Sequence, residues 1–207
     1  MSGRTVRRLP HDTGRAGWDA VLGDRPSYPR AEGDLKADWL VIGGGFAGLS
    51  AARRLAEMRG GDRVILLDAV RIATGPAGRN SGFMIDLPHE LAADSYAGSA
   101  DVDRKQITLN RHAQAFAQAV AAAYDMPDEA VATTGRVNGA VNARGAAHND
   151  QYAAKLDHLG EAYERLDAEA MTKLTGTRFY RSGLFLPGAV MLQPALYIRA
   201  LAAGLAS

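Results

Sequence analysis

The sequence of 207 residues contains no cysteine, which excludes disulfides, thiolate metal sites and a cysteine nucleophile, and fits a reducing compartment. Net charge is also scarce. With 24 basic and 23 acidic side chains the balance is +1, so no electrostatic footprint points to nucleic acid or an anionic membrane, and a small molecule is the expected partner. Nowhere does the chain run apolar for the ~18 residues a membrane span needs. The basic residues near the N-terminus are followed by no apolar segment of the signal-peptide kind, and the expected location is cytoplasmic. What is present, 47% hydrophobic and 23% charged residues, suits a folded globular chain long enough for one large domain or two small ones.

Residues 1–36 are rich in Arg, Gly, Pro and Asp without apolar periodicity. They read as an extended arm lying over a domain, with Trp18 and Tyr28 as its candidate anchors. The run from Ala37 to Ile42, ended by glycines, predicts a buried parallel strand. A helix is expected over 46–59, where Leu49, Ala52, Leu55 and Ala56 recur at helical spacing, and Val64 to Leu67 predicts a second strand. Beyond this βαβ unit, residues 73–82 hold too many breakers for a regular element and read as a loop.

A long helix is expected over 101–124 with Leu109, Ala113, Phe116, Val120 and Ala123 on its apolar stripe. Short strands with a tight turn, signalled by Gly135 and by Asn138-Gly139, follow over 131–141, then a helix over 146–163, a short helix capped by Asp167 and a strand around 183–186. The last helix starts at Gln193-Pro194, with Ile198, Leu201 and Leu205 on one face. There is no internal repeat.

Gly43-Gly44-Gly45-Phe46-Ala47-Gly48 matches the G-x-G-x-x-G pattern of dinucleotide-binding turns. Gly43 permits the turn out of the strand, Gly45 lets backbone approach a pyrophosphate, and Gly48 lets the helix pack close to the strand. Phosphates would then sit on free N–H groups at the helix N-terminus, favoured by its dipole. Asp68 ends the second strand about 20 residues on, where a carboxylate accepts hydrogen bonds from ribose hydroxyls and repels a 2′-phosphate, so NADP is disfavoured. The turn alone leaves FAD and NAD open, and a glycine-rich turn without a ligand is the bland alternative.

These residues, together with Leu67-Asp68-Ala69, Arg71-Ile72 and Gly78-Arg79-Asn80-Ser81-Gly82, resemble the N-terminal part of FAD-dependent oxidoreductases of the glycine/D-amino-acid oxidase (DadA-like) family, within it the gamma-glutamylputrescine oxidase-like branch. The resemblance is specific over 37–85, moderate over Tyr180 to Leu201, and a pattern of elements between them. It implies an α/β fold with a Rossmann-like FAD-binding βαβ unit of the GR2 type and part of an α+β substrate domain, incomplete at the C-terminus. The implied divisions are an arm at 1–36, the FAD-binding unit and flavin loop at 37–100, a partial substrate domain at 101–190, and a returning helix at 191–207.

The implied cofactor site is Gly43, Gly45, Phe46, Ala47, Gly48, Asp68, Ala69, Arg71, Gly78, Arg79, Asn80, Ser81 and Gly82. FAD is expected to be held non-covalently, since the chain has no cysteine and residues 78–82 no histidine. Two departures stand out. Asp68 replaces the more usual Glu, and Ala77 replaces a common Ser. The implied reaction is oxidation of a C–N bond of an amine or amino acid by hydride transfer to flavin, with imine hydrolysis in water; oxidase and dehydrogenase remain open.

Other readings are an NAD-dependent dehydrogenase and a non-catalytic nucleotide-binding fragment. Arg79 either pairs with the cofactor or substrate or points to water, and Asn80 either donates to the ring system or caps a turn. His11, His89, His112, His148 and His158 lack metal-ligand spacing, so no metal is assigned, and no catalytic residue is named. If the nucleotide domain is incomplete, the first strand should lack a partner on one edge and the face of Ile198, Leu201 and Leu205 should be exposed.

Overall fold

The computed structural model describes residues 14–24, 26–87 and 100–206; His11, His89 and Ser207 lie outside them. The chain forms two compact units. The first comprises residues up to Gly82, Val120–Ala130 and Leu192 onward; the second comprises Phe83–Ala119 and Val131–Met191.

In the first unit, β1 (Trp39–Ile42) pairs in parallel with β2 (Val64–Leu67), Trp39 opposite Val64 and Ile42 opposite Leu67. The crossover is α2 (Phe46–Met58), which buries Leu49 and Ala52. Ala56, expected on the same stripe, is exposed. Among the described residues β1 has β2 as its sole strand partner, in line with the expected open edge. It is not a buried strand, however: Leu40 is 57% and Ile42 81% exposed.

The opposite correction applies to α6 (Pro194–Ala206). Ile198 and Leu201 are fully buried and Leu205 is half-buried, because α6 packs on α2, on the 3₁₀ turn Pro76–Gly78 and on a one-turn helix, α1 (Gly17–Ala20), contributed by the arm. The arm therefore includes an element of the fold, which the apolar pattern hid because its buried residues are Ala16 and a charged one, Asp19.

The second unit is built on the antiparallel sheet β5 (Arg136–Ala140), β7 (Ser182–Leu186) and β6 (Glu164–Leu166), with β7 central. A separate three-stranded sheet orders β3 (Phe83–Met84), β8 (Val190–Leu192) and β4 (Val131–Thr133). Helix α4 (Ala143–Leu159) covers β5 and β7; its Tyr152, Ala153 and Leu156 join Leu87, Ile107, Leu184 and Leu186 in the core. Asn142 caps it by accepting from the Gly145 amide at 2.9 Å. It stops at Gly160, whose φ of +75° is left-handed, so residues expected to continue the helix to 163 lead into β6 instead. Asp167 caps α5 (Ala168–Thr175) as expected, accepting from the Ala170 amide at 2.8 Å.

Two further expectations are corrected. Of the two turn signals in 131–141, Gly135 is where the chain bends, with φ +66°, whereas Asn138-Gly139 lie inside β5. The helix α3 (Ala100–Ala123) turns another face inward: Ile107, Gln114, Ala117 and Val120 are buried, whereas Leu109, Ala113, Phe116 and Ala123 are exposed. Gln114 is the reason the pattern misled, since its amide donates to the carbonyls of Met84 at 2.7 Å and Gly188 at 3.0 Å. A polar side chain so satisfied belongs inside.

Truncating Leu201 to Ala should cost about 2–5 kcal/mol, the range for a large-to-small change in a packed core. Urea unfolding measures it; a loss under about 0.5 kcal/mol, typical of a surface position, would mean this face is not packed.

Candidate functional site at the glycine turn

Between β1 and α2 the main chain reverses within residues 43–45. Gly43 adopts φ +103°, a region that L side chains avoid. A Cβ on Gly48 would strike the Gly43 carbonyl oxygen, so glycine here sets how closely helix and turn approach. Gly45 is different: the atom nearest to a Cβ built there is Cβ of Ala77, at 3.4 Å. Space beside Gly45 is thus bordered by a methyl group and left open elsewhere. As N-cap of α2, Gly45 supplies no side-chain cap, so the amides opening the helix from Phe46 have no intrahelical acceptor. Phe46 packs on Tyr197 of α6, ring centroids 5.9 Å apart, and Ala47 is exposed.

Asp68 follows β2 and reaches back to the turn. Its Oδ2 accepts from the Gly44 amide at 2.6 Å and its Oδ1 from the Val70 amide at 2.9 Å. The carboxylate remains exposed, as do Ala69 and Arg71 beyond it, and each oxygen keeps acceptor capacity.

The loop's Arg79 and Asn80 side chains are engaged with main-chain groups. Gly78 closes the 3₁₀ turn, and a Cβ on it would strike the Ala73 carbonyl. Arg79 directs its guanidinium at backbone, Nε donating to the Thr74 carbonyl at 2.7 Å and Nη2 to the Gly14 carbonyl. Asn80 is a turn cap: its amide donates to the Ala77 carbonyl at 2.8 Å, and its Oδ1 accepts from the Gly82 amide at 2.9 Å. Ser81 is exposed. Gly82 has φ +80° and lies against the Leu192 carbonyl. The thirteen residues singled out in the sequence thus fall in one unit, at the turn, the end of β2 and this loop. Sequence reasoning missed buried Thr74, whose carbonyl orients Arg79, and Tyr197, which supports Phe46; an aromatic in the first turn of an apolar helix was the available signal for the latter.

The family model described as FAD dependent oxidoreductase, DAO, matches residues 38–207. The chain belongs to this family. A probable oxidoreductase, OrdL, of Rhizobium meliloti (strain 1021) is 44% identical over 73 residues, covering 35% of this chain and 17% of that protein. Gamma-glutamylputrescine oxidoreductase of Escherichia coli (strain K12) is 39% identical over 76 residues, covering 37% and 16%. Among solved structures, glycine oxidase from Geobacillus kaustophilus superposes with TM-score 0.65 at 17% identity, over 83% of this chain and 44% of that one. L-amino acid deaminase from Proteus myxofaciens gives 0.63 at 19% identity, over 88% and 39%. At those identities the structures speak for the fold, and the chain spans less than half the length of these solved relatives. The family's FAD dependence favours flavin over the nicotinamide alternative. Among the described residues no helix is long and apolar enough to cross a membrane.

Burial pushes the Tyr197 phenol up to about 12, against a smaller lowering by Arg53. Because the folded value exceeds the ordinary 10, the neutral phenol's contribution is complete below pH 10 and is lost as pH rises toward 12, on the order of 2–3 kcal/mol. Urea midpoints from pH 9 to 12 should show this fall, and Tyr197→Phe should reduce it.

Proposed function

We propose that residues 37–82 bind the ADP side of FAD in a flavoenzyme that oxidises the C–N bond of an amine or amino acid. The observation that carries this reading is the open space beside Gly45 at the uncapped start of α2, with the Asp68 carboxylate at the neighbouring strand end. Unpaired amides and a helix N-terminus suit a pyrophosphate, and an exposed carboxylate suits ribose hydroxyls. These features fit FAD. In this reading Gly43, Gly45, Phe46, Ala47 and Gly48 form the phosphate cradle, Asp68 with Ala69 and Arg71 flanks the ribose, and Gly78 to Gly82 lies toward the flavin ring. The first unit is the cofactor side and the second belongs to the substrate domain.

When bound, FAD supplies the two-electron acceptor for the substrate. The chain's own residues bind and orient: α2 offers its amides, Asp68 offers acceptors, and loop 78–82 presents a main chain held in shape by Asn80 and Arg79. The relatives' names support a nitrogen-bearing small molecule as substrate, with the reduced flavin passing its electrons on to a separate acceptor. A cytoplasmic location is part of the same proposal.

Gly45→Val should abolish FAD binding in a fluorescence titration, since its side chain would occupy the open space; binding at the unmodified affinity would sink the cradle assignment. Asp68→Ala should weaken FAD by about 1.5–3 kcal/mol, read as a raised Kd with far-UV circular dichroism unchanged. An unaltered Kd means the ribose acid lies elsewhere.

The flavin should leave with acid or heat as free FAD. Cysteine is absent from the chain, and residues 78–82 hold no histidine. Yellow colour remaining in the precipitated polypeptide contradicts this.

A further inference from the structure

The arm ahead of the family-matched region carries a buried charge. Asp19, in the single turn of α1, is fully buried. Arg199 of α6, only 13% exposed, approaches it at 3.5 Å, and Arg15 stands 3.6 Å away on the arm itself. Arg199 also donates to the Asp24 carbonyl, and Arg15 donates to the Gly23 carbonyl at 2.6 Å. A buried carboxylate persists only when it is paired and hydrogen-bonded, so these contacts seat residues 14–24 at one place on α6.

From that seat a chain of hydrogen bonds runs to the loop. Gln193 opens α6, its Oε1 accepting from the Leu196 amide at 2.8 Å while its Nε2 donates to the Trp18 carbonyl at 2.9 Å. The Trp18 indole then donates to the Asn80 carbonyl at 2.8 Å. On the preceding residue, Arg79 donates to the Gly14 carbonyl. Residues 79–81 are exposed, and exposed loops with few packed contacts are where local opening concentrates. Here two successive loop residues are tied to an element anchored by a buried ion pair.

We propose that residues 14–24 are a positioning strap for loop 78–82, with Trp18 as the contact and Asp19 as the anchor, so that a segment outside the matched family region tightens FAD binding. The proposal rests on the cofactor reading above. Trp18→Phe keeps an aromatic ring and removes the indole donor; Asp19→Asn removes the anchor's charge.

In the full 207-residue chain, both variants should exchange the amide hydrogens of Arg79 and Gly82 several-fold faster, leave that of Leu156 unchanged, and raise the Kd for added FAD about three- to tenfold. Unchanged loop exchange in Trp18→Phe overturns the strap. Faster exchange with an unchanged Kd overturns it as well, since the loop would then be held without consequence for the cofactor. Should Asp19→Asn fail to fold, Trp18→Phe, altering a partly exposed side chain, decides alone. Failure of the cofactor reading is separable: it appears as unaltered FAD affinity in Asp68→Ala and Gly45→Val, whereas failure of the strap appears in Trp18→Phe while those two still lose affinity.

Discussion

The first unit depends on how closely α2 approaches the turn that precedes it. The Gly43 carbonyl occupies the volume a Cβ at Gly48 would need, so helix and strand meet at a distance available to no other residue. That approach fixes the direction of α2 and lays Leu49 and Ala52 inward. It also aims the helix's opening amides past Gly45 into space bordered by Ala77. Asp68 completes the constraint from the other strand by accepting the Gly44 amide, which leaves the amides beyond it free for another acceptor. A geometry set by packing thereby also shapes the surface to which the proposed function assigns the cofactor.

The same unit shows why burial could not be read from apolar residues alone. α6 is apolar on the face expected to be bare, yet Ile198 and Leu201 are buried by α2, by the 3₁₀ turn and by the arm. The arm was legible as a peptide rich in Arg and Gly, and Trp18 as its anchor. Its packing was not legible, because the force seating it is an ion pair between Asp19 and a residue 180 positions away. Local pattern carries no signal of a partner so distant. Strand β1 errs in the other direction: its composition says buried, while its surroundings leave Leu40 and Ile42 exposed.

Legibility in the second unit followed the range of the interactions. Asp167 capping α5 is a three-residue event, and the residue types alone suffice to foresee it. The end of α4 turned on one glycine against a run of acceptable helix residues, and β6 and β8, each of three residues, are too short for alternation to declare itself. For α3 the buried stripe includes Gln114, whose acceptors come from Met84 and Gly188. Its place inside is intelligible only once those carbonyls are nearby.

At the candidate site the glycines and Asp68 were legible because their constraints are local. The roles of Arg79 and Asn80 were ambiguous because their side chains suit either a ligand or a backbone, and both are engaged with backbone. That engagement changes how the loop would serve a cofactor. With Asn80 bridging Ala77 and Gly82, and Arg79 bridging Thr74 and Gly14, both side chains define the path of the main chain. Under the proposed function, recognition then rests on main-chain groups presented in a fixed shape, with Asp68 as the principal side-chain contribution. A site of that kind tolerates Ala77 in place of serine, since a side-chain hydrogen bond is not its main resource. It tolerates poorly any change at Gly78 or Gly82, where a Cβ would strike the Ala73 or Leu192 carbonyl and displace the backbone that the proposed function assigns to the cofactor.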